Sequence, residues 1–228
     1  MTLIVGLRGE DDLVFASDTL VWEGANEGYY ISRASKLRVI GQDWISGSAG
    51  TGVGADVQAQ IAAGQEVFDH DIDGGAPAYA LRTAQLYRKS RYVGETSFLL
   101  GGFGRDGPAI YRWSLPEFSG PMRSRGGRCA IGVGQHGAMY LAAAYHQTSM
   151  TTERRMLLAY FCVYEAARHD PRVGAPIELA VASRGSVTIL AETELAGLRR
   201  ESEALANYIA DQFSSKCQSV VDFSLEPR

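Results

Sequence analysis

Short runs of apolar residues, paired across polar turns, recur along most of the chain. Residues 3–8 and 13–17 flank a polar turn at residues 9–12, which predicts an antiparallel hairpin. The same pattern predicts three more hairpins, formed by residues 36–40 with 44–48, 97–102 with 109–114, and 177–183 with 187–190. A further short strand is predicted at residues 129–132. Because hairpins build antiparallel sheets, the pattern disfavours a parallel sheet of alternating strands and helices.

The segments between the hairpins carry apolar residues at helical spacing. The first of them, residues 55–70, has Val57, Ile61 and Phe68 on one side. Further helices are predicted at residues 77–90, 138–146, 151–169 and 192–213. Two antiparallel sheets covered by these helices make an α+β fold, a four-layer α/β/β/α sandwich. No repeat or linker divides the chain, so we predict a single domain over residues 1–228, with residues 213–228 as a C-terminal tail.

Composition narrows the class of protein. The 228 residues suffice for one domain whose core folds without disulfides or metals. A net charge of −4 and the lack of a Lys/Arg run argue against nucleic acid or a membrane surface as a partner. Cys129, Cys162 and Cys217 are odd in number and far apart, which is typical of free thiols in a reducing compartment. No signal peptide or spanning run is recognisable, and we expect a cytoplasmic protein.

The sequence gives little support for a nucleotide-binding or metal-binding site. Residues 132–137 match G-x-G-x-x-G, the pattern of dinucleotide-binding loops. The helix that follows leads to another helix rather than to a strand ending in an acidic residue, so the βαβ unit is missing. The four histidines lack the spacing of metal ligands, and no pair of cysteines accompanies them. We therefore expect no nucleotide, no metal and no other cofactor.

Thr2 is the first candidate for chemistry. If Met1 is removed, Thr2 carries both a hydroxyl and a free α-amine, whose ordinary pKa is about 8. The hydroxyl then serves as the nucleophile and the amine as the base that accepts its proton. From this dipeptide alone, the simpler interpretation of Thr2 is the first residue of a β-strand.

Three further residues have the chemistry to support such a nucleophile. Asp18 ends the second predicted strand, Lys36 begins the third, and Gly50 lies in a glycine-rich turn before a helix. A buried lysine lowers the pKa of a neighbouring amine, and a carboxylate holds that lysine in place and charged. Amides of a glycine turn at a helix N-terminus stabilise an oxyanion. Taken singly, these residues are ordinary turn or surface residues; together they form the parts of an acyl-transfer site.

In this order, the residues resemble the proteasome β-subunit family and its bacterial homologues that work with ATPase rings. The similar motifs are Thr-Leu-Ile-Val-Gly at residues 2–6, Ser-Asp at 17–18, Lys-Leu at 36–37, and Ala-Gly at 49–50 followed by Ala-Asp at 55–56. The resemblance implies the fold of N-terminal nucleophile hydrolases and peptidase activity without a cofactor. It also implies stacked rings of identical subunits, peptides or unfolded proteins as substrates, and an ATPase unfoldase ring as a partner.

The resemblance assigns a role to each catalytic candidate. Thr2 is similar to the nucleophile, Asp18 to the partner of the lysine, and Lys36 to the charged group that tunes the amine. Gly50 resembles the residue whose amide binds the oxyanion. Asp170, which follows a long helix and precedes a glycine, resembles a second aspartate that helps to orient the N-terminal residue.

Four other positions bear on substrate and rate. Ser48 resembles a residue that lines the first specificity pocket, where a serine leaves room for a large side chain. Trp22 lies in a polar stretch that would border the substrate channel. Val133 and Val173 depart from the family, which has hydrogen-bonding serines at these positions, whereas valine can neither donate nor accept.

These residues predict a threonine-type endopeptidase subunit of a self-compartmentalised ring. Two alternatives stay open at this point. Val133 and Val173, or a retained Met1, favour a proteasome-like ring subunit without activity. An N-terminal nucleophile hydrolase acting on small amides would use the same site chemistry in a monomer or dimer with an open cleft.

Overall fold

The computed structural model describes residues 2–25, 28–64, 68, 71–92 and 94–223. Within them the strands are, in chain order, β1 Leu3–Arg8, β2 Asp12–Asp18, β3 Leu20–Ala25, β4 Gly28–Arg33, β5 Leu37–Ile40, β6 Trp44–Ala49, β7 Thr96–Gly104, β8 Gly107–Leu115, β9 Met122–Arg123, β10 Arg128–Gly132, β11 Ile177–Ser183 and β12 Ser186–Ile189. The helices are α1 Gly52–Ala63, α2 Ile72–Lys89, α3 Gln135–Tyr145, α4 Thr152–His169 and α5 Glu192–Phe223.

Two five-stranded antiparallel sheets carry the fold. The first has the strand order β10-β1-β2-β11-β12, and the second has the order β5-β6-β7-β8-β9. Strands β3 and β4 pair with each other as a separate two-stranded hairpin between β2 and β5. In the first sheet, β1 lies between β10 and β2, with Leu3 opposite Gly132 and Ile4 opposite Ser17. The start of β1, the end of β2 and the end of β10 therefore lie at one edge.

The sheets face each other, and each is covered on its outer side by helices. Helices α3, α4 and α5 pack on the first sheet, and α1 and α2 pack on the second. In β1, Leu3, Val5 and Leu7 belong to the cluster beneath α4, whereas Ile4 belongs to the cluster between the sheets. This double burial explains why β1 is apolar without alternation. The predicted four-layer α/β/β/α sandwich is confirmed.

The structure departs from the sequence prediction most clearly in its helices. Helix α2 begins at Ile72 rather than at Pro77, because the Asp71 carboxylate caps it by accepting a hydrogen bond from the Asp73 amide at 2.9 Å. Helix α1 ends at Ala63 instead of reaching residue 70. Helix α5 continues to Phe223, so most of the predicted tail is helical, and residues 224–228 lie outside the described residues.

The hairpin of β3 and β4 was also missed, because residues 19–35 form a polar stretch in which the alternation of a half-buried strand is weak. It leaves the first sheet immediately after Asp18 and returns the chain to the second sheet at Lys36. Asp18 and Lys36, two of the predicted site residues, therefore flank this hairpin.

Among the helices of the described residues, none has both the length and the apolar composition that crossing a bilayer requires.

Candidate active site

Thr2 lies directly in front of β1 and is held by the edge of the first sheet. Its carbonyl oxygen accepts a hydrogen bond from the Val133 amide at 2.8 Å. The residue is buried, and strand alternation places its side chain on the same side as Ile4, towards the space between the two sheets. A nucleophile at this position would therefore act in a cleft rather than on an open surface. Met1 lies outside the described residues.

Asp18 connects Thr2 to Lys36. One carboxylate oxygen, Oδ1, accepts hydrogen bonds from the Leu3 amide at 2.8 Å and from Lys36 Nζ at 3.0 Å. The other, Oδ2, accepts the Gly174 amide at 3.4 Å. The ammonium of Lys36 consequently lies within two hydrogen-bond lengths of the amide that joins Thr2 to Leu3. The structure thus brings together the three residues that the sequence proposed as nucleophile, carboxylate and lysine.

The ion pair of Asp18 and Lys36 is almost completely buried, with exposed side-chain fractions of 0% and 6%. Burial raises the pKa of Asp18, and this effect is opposed by the charge of Lys36 and by the amides of Leu3 and Gly174. Burial likewise lowers the pKa of Lys36, opposed by Asp18 and by the more distant Glu178. Each charge is therefore disfavoured by its surroundings and sustained by its partner.

Gly50 follows β6 and reaches the same edge of the molecule. Its φ of +129° lies in the region that favours glycine, and a Cβ built on it would overlap the carbonyl oxygen of Glu95. Gly132 shows where this turn lies. A Cβ built on Gly132 would overlap the carbonyl oxygen of Thr2 and would lie 2.9 Å from the Cβ of Ala49, the residue before Gly50. The turn at Gly50 is therefore next to Thr2, and α1 begins two residues later, at Gly52.

The two predicted substrate contacts lie on different strands, Ser48 in β6 and Trp22 in β3. Ser48 is buried next to α1, where a Cβ built on Gly54 would lie 2.9 Å from its hydroxyl oxygen. Its role in a specificity pocket stays a prediction. Trp22 lies in β3 opposite Ile31, but its side chain is outside the described part of the structure, and its contact with substrate stays a prediction.

Asp170 is hydrogen-bonded through its side chain to Arg172 in the described part of the structure. It follows the last residue of α4, and its carboxylate accepts three hydrogen bonds from Arg172, from the amide at 2.9 Å, from Nε at 2.9 Å and from Nη2 at 2.7 Å. These bonds lower the pKa of Asp170 to about 2. The carboxylate is thus paired with Arg172, and its role in orienting Thr2 stays a prediction.

Val133 and Val173 contribute to the site through their neighbours and backbone. Both side chains pack in the apolar cluster beneath α4. The Val133 amide donates to Thr2, and the residue after Val173 is Gly174, whose amide donates to Asp18. The places where the family has serines are thus apolar here, while the main chain still holds the site together.

The sequence interpretation missed Glu178, a buried carboxylate in β11. It accepts hydrogen bonds from the Lys36 amide at 2.5 Å, from the Leu37 amide at 3.0 Å and from the Ser35 hydroxyl at 2.6 Å. Its only signal in the sequence is a single acidic residue within the apolar run of residues 177–182.

The glycine-rich loop at residues 132–137 has a structural explanation. Strand β10 ends at Gly132, Gly134 precedes α3 in a left-handed conformation, and α4 follows α3 without a strand between them. This order lacks the βαβ unit of a dinucleotide site. Within the described residues, no group of three or more His, Cys, Asp or Glu side chains is arranged to hold a metal ion.

A four-layer sandwich, with a threonine before its first strand and a buried lysine–aspartate pair beside that threonine, is the architecture of the N-terminal nucleophile hydrolases. A model of the proteasome subunit family matches residues 2–182, and the chain belongs to this family.

Two solved structures show the same fold. Anbu from Hyphomicrobium sp. strain MC1 is 21% identical, with a TM-score of 0.73 over 93% of this chain and 97% of the other. Its Gly-1 mutant is 19% identical, with a TM-score of 0.76 over 94% of this chain and 97% of the other. At these identities the similarity establishes the fold alone. A comparison with curated protein sequences gave no match.

Proposed function

We propose that the chain is a threonine-type endopeptidase subunit, with Thr2 as the N-terminal nucleophile after removal of Met1. The observation that carries this proposal is the buried Asp18, which accepts hydrogen bonds from both the Leu3 amide and the Lys36 ammonium. Because both groups bind the same carboxylate oxygen, this arrangement supports a role for the Lys36 charge in tuning the Thr2 amine.

The reaction would proceed in two stages. The Thr2 hydroxyl oxygen attacks the peptide carbonyl carbon, and the hydroxyl proton passes to the Thr2 α-amine. The peptide C–N bond then breaks as the ammonium returns its proton to the leaving amine, which leaves an ester on Thr2. Water attacks this ester, the α-amine accepts a proton from the water, and the carboxylic acid product is released as Thr2 recovers its hydroxyl hydrogen.

Lys36, Asp18 and Gly50 support these steps without reacting. The charge of Lys36 lowers the pKa of the Thr2 amine, so that more of it is neutral and able to accept a proton. Asp18 keeps Lys36 charged and in place. The Gly50 amide is assigned to the negative oxygen of the tetrahedral intermediates, near the positive end of α1.

For the assembly, we propose stacked rings of identical copies that enclose the sites and admit peptides or unfolded proteins. An ATPase unfoldase ring is the proposed partner, and the cytoplasm is the proposed location. Membership of the proteasome subunit family supports this arrangement. Assembly in solution as a monomer or dimer would favour a hydrolase of small amides instead.

The alternative of an inactive ring subunit is favoured by one observation, the apolar environment of Val133 and Val173 where the family places serines. Intact mass spectrometry, before and after treatment with a threonine-directed electrophile, separates the two. An enzyme is expected to lack Met1 and to gain one adduct on Thr2. Retained Met1, or a Thr2→Ala variant that cleaves peptides at the wild-type rate, would refute the peptidase.

A further inference from the structure

The Glu178 carboxylate accepts hydrogen bonds from Lys36 and from the residues before and after it. One of its carboxylate oxygens, Oε1, accepts the amides of Lys36 at 2.5 Å and Leu37 at 3.0 Å, and the other accepts the Ser35 hydroxyl at 2.6 Å. Ser35 and Lys36 directly precede β5, an edge strand of the second sheet, and Leu37 is its first residue. Glu178 itself belongs to the first sheet, so its carboxylate ties the two sheets together at the active-site edge.

Lys36 is consequently held at both ends by acids from neighbouring strands. Asp18, at the end of β2, accepts its ammonium, and Glu178, in β11, accepts its amide. The two strands are paired, with Ile177 opposite Asp18 and Glu178 opposite Ser17. A lysine side chain has four rotatable bonds, so a fixed ammonium position needs a fixed backbone as well as a partner for the charge.

The carboxylate also acts through its charge. Glu178 is 9% exposed, and burial raises its pKa, opposed by Ser35, by the amides of Lys36 and Leu37, and by the charge of Arg38. Besides Asp18, Glu178 is the group whose charge supports the protonated form of Lys36. Glu178 thus has two effects on Lys36: it fixes the backbone and it supports the charge of the ammonium. Substitutions at Glu178 can separate these effects.

Building on the proposed peptidase function, we propose that Glu178 is a positioning residue that fixes the backbone of Lys36 and helps to keep its ammonium charged beside Thr2. It touches neither substrate nor the reacting atoms. Glu178 lies 142 residues from Lys36 along the chain and belongs to none of the sequence motifs that define the site.

Two substitutions separate the contributions. Glu178→Gln keeps an oxygen for the amides of Lys36 and Leu37 but removes the charge. Glu178→Asp keeps the charge but withdraws it by one methylene, so it cannot hold all three donors. Glu203→Gln, at an exposed position on α5, is the matched control.

The charge of Lys36 can be measured without turnover. The chain has three lysines, Lys36, Lys89 and Lys216, so ¹³C-lysine labelling yields few Cε signals, and the exposed Lys89 is an internal reference. We expect the Cε signal of Lys36 to titrate at lower pH in Glu178→Gln than in the wild type. Lys89 and the Glu203→Gln control are expected to be unchanged. An unshifted Lys36 in Glu178→Gln would overturn the proposed effect of the charge.

Peptide hydrolysis tests the position. Glu178→Asp is expected to reduce kcat roughly 10–100-fold with little change in KM, because a displaced catalytic group costs rate rather than substrate affinity. The alkaline limb of the pH profile of Glu178→Gln is expected to move to lower pH. Wild-type kcat in Glu178→Asp would overturn the positioning role, as would loss of the folded state in both variants. A wild-type protein that does not hydrolyse peptides would refute the peptidase, while the lysine titration would still test the effect of Glu178 on Lys36.

Discussion

The two aspartates proposed for the site lie in opposite environments. Asp18 ends a central strand, is fully buried, and accepts hydrogen bonds from Leu3, Lys36 and Gly174. Asp170 follows a helix in a loop, and its carboxylate accepts three hydrogen bonds from Arg172, two residues away. Burial raises the pKa of Asp18, whereas Arg172 lowers that of Asp170 to about 2.

The difference shows which part of the site the fold determines. The partners of Asp18 come from β1, from the segment before β5 and from the loop before β11, so the carboxylate cannot move without disrupting the sheet. The partner of Asp170 is local and half-exposed, so its bonds can be exchanged at small cost. The position of Asp18 is therefore fixed by the fold, whereas that of the Asp170 carboxylate rests on a local contact.

The largest effect is expected from Asp18→Ala. This substitution leaves the Lys36 ammonium buried without its counter-charge, which costs about 3–5 kcal/mol in the free energy of unfolding. Urea denaturation measures this loss, and peptide hydrolysis is expected to disappear with it. Asp18→Asn is the comparison variant, because it keeps an acceptor for the Leu3 amide but removes the charge and the oxygen that accepts the Gly174 amide. Wild-type stability in Asp18→Ala would contradict the buried ion pair.

A smaller effect is expected from Gly50→Ala. The positive φ of Gly50 and the nearby Glu95 carbonyl leave no room for a methyl group, at a cost of about 1–3 kcal/mol. Gly52→Ala, two residues on, is the control, since a Cβ there would meet nothing within 4 Å. Thermal unfolding compares the two variants, and equal melting temperatures would contradict the described turn.

The pH dependence of kcat/KM is expected to depend on Asp18 but not on Asp170. The raised pKa of Asp18 means that it loses its charge at a higher pH than an ordinary aspartate, and the lowered pKa of Lys36 means that it loses its charge at a lower pH than an ordinary lysine. If both charges and a neutral Thr2 amine are required, kcat/KM falls on both sides of a plateau, and protonation of the amine contributes to the acidic limb together with that of Asp18. The Asp170→Asn variant is expected to keep the wild-type acidic limb, because Asp170 stays ionised throughout. An acidic limb that vanished in Asp170→Asn would reverse this assignment.

The smallest effect is expected for the stability of Asp170→Asn. Its pair with Arg172 is exposed enough for water and salt to screen it, so the melting temperature should stay close to that of the wild type. Arg172→Ala serves as the second half of the comparison, since it frees the Asp170 carboxylate. If the orienting role proposed for Asp170 is real, Arg172→Ala is expected to change kcat without changing stability. An Asp170→Asn variant that unfolds as readily as Asp18→Ala would show that the two sites are equivalent.

The sequence could predict those parts of the molecule that are determined by patterns within short segments of the chain. The apolar runs paired across polar turns predicted most strands, and the fold class followed from the order of hairpins and helices. Asp18 and Lys36 were recognisable because their order along the chain resembles that in the proteasome β-subunit family; in the structure, Asp18 ends β2 and Lys36 directly precedes β5. The hairpin of β3 and β4 was hidden in a polar stretch, and the start of α2 was obscured by Pro77, which is common in the first turn of a helix.

Other contacts could not be predicted because no single segment reveals them. Glu178 was missed because its partners lie in a distant part of the chain, 142 residues away for Lys36. The pairing of Asp170 with Arg172 depends on the conformation of a loop, which has no periodic signal in the sequence.

The hairpin of β3 and β4 has a consequence for the order in which the site assembles. Asp18 and Lys36 are 18 residues apart, whereas Glu178 and Lys36 are 142 apart. For a flexible chain, closing the longer loop costs about 2 kcal/mol more conformational entropy than closing the shorter one. The pairing of β3 with β4 shortens the effective loop further, so we expect the ion pair to form while the N-terminal hairpins fold. We expect the contact with Glu178 to follow when β11 docks, so that the ammonium of Lys36 acquires its final position only in that late, long-range step.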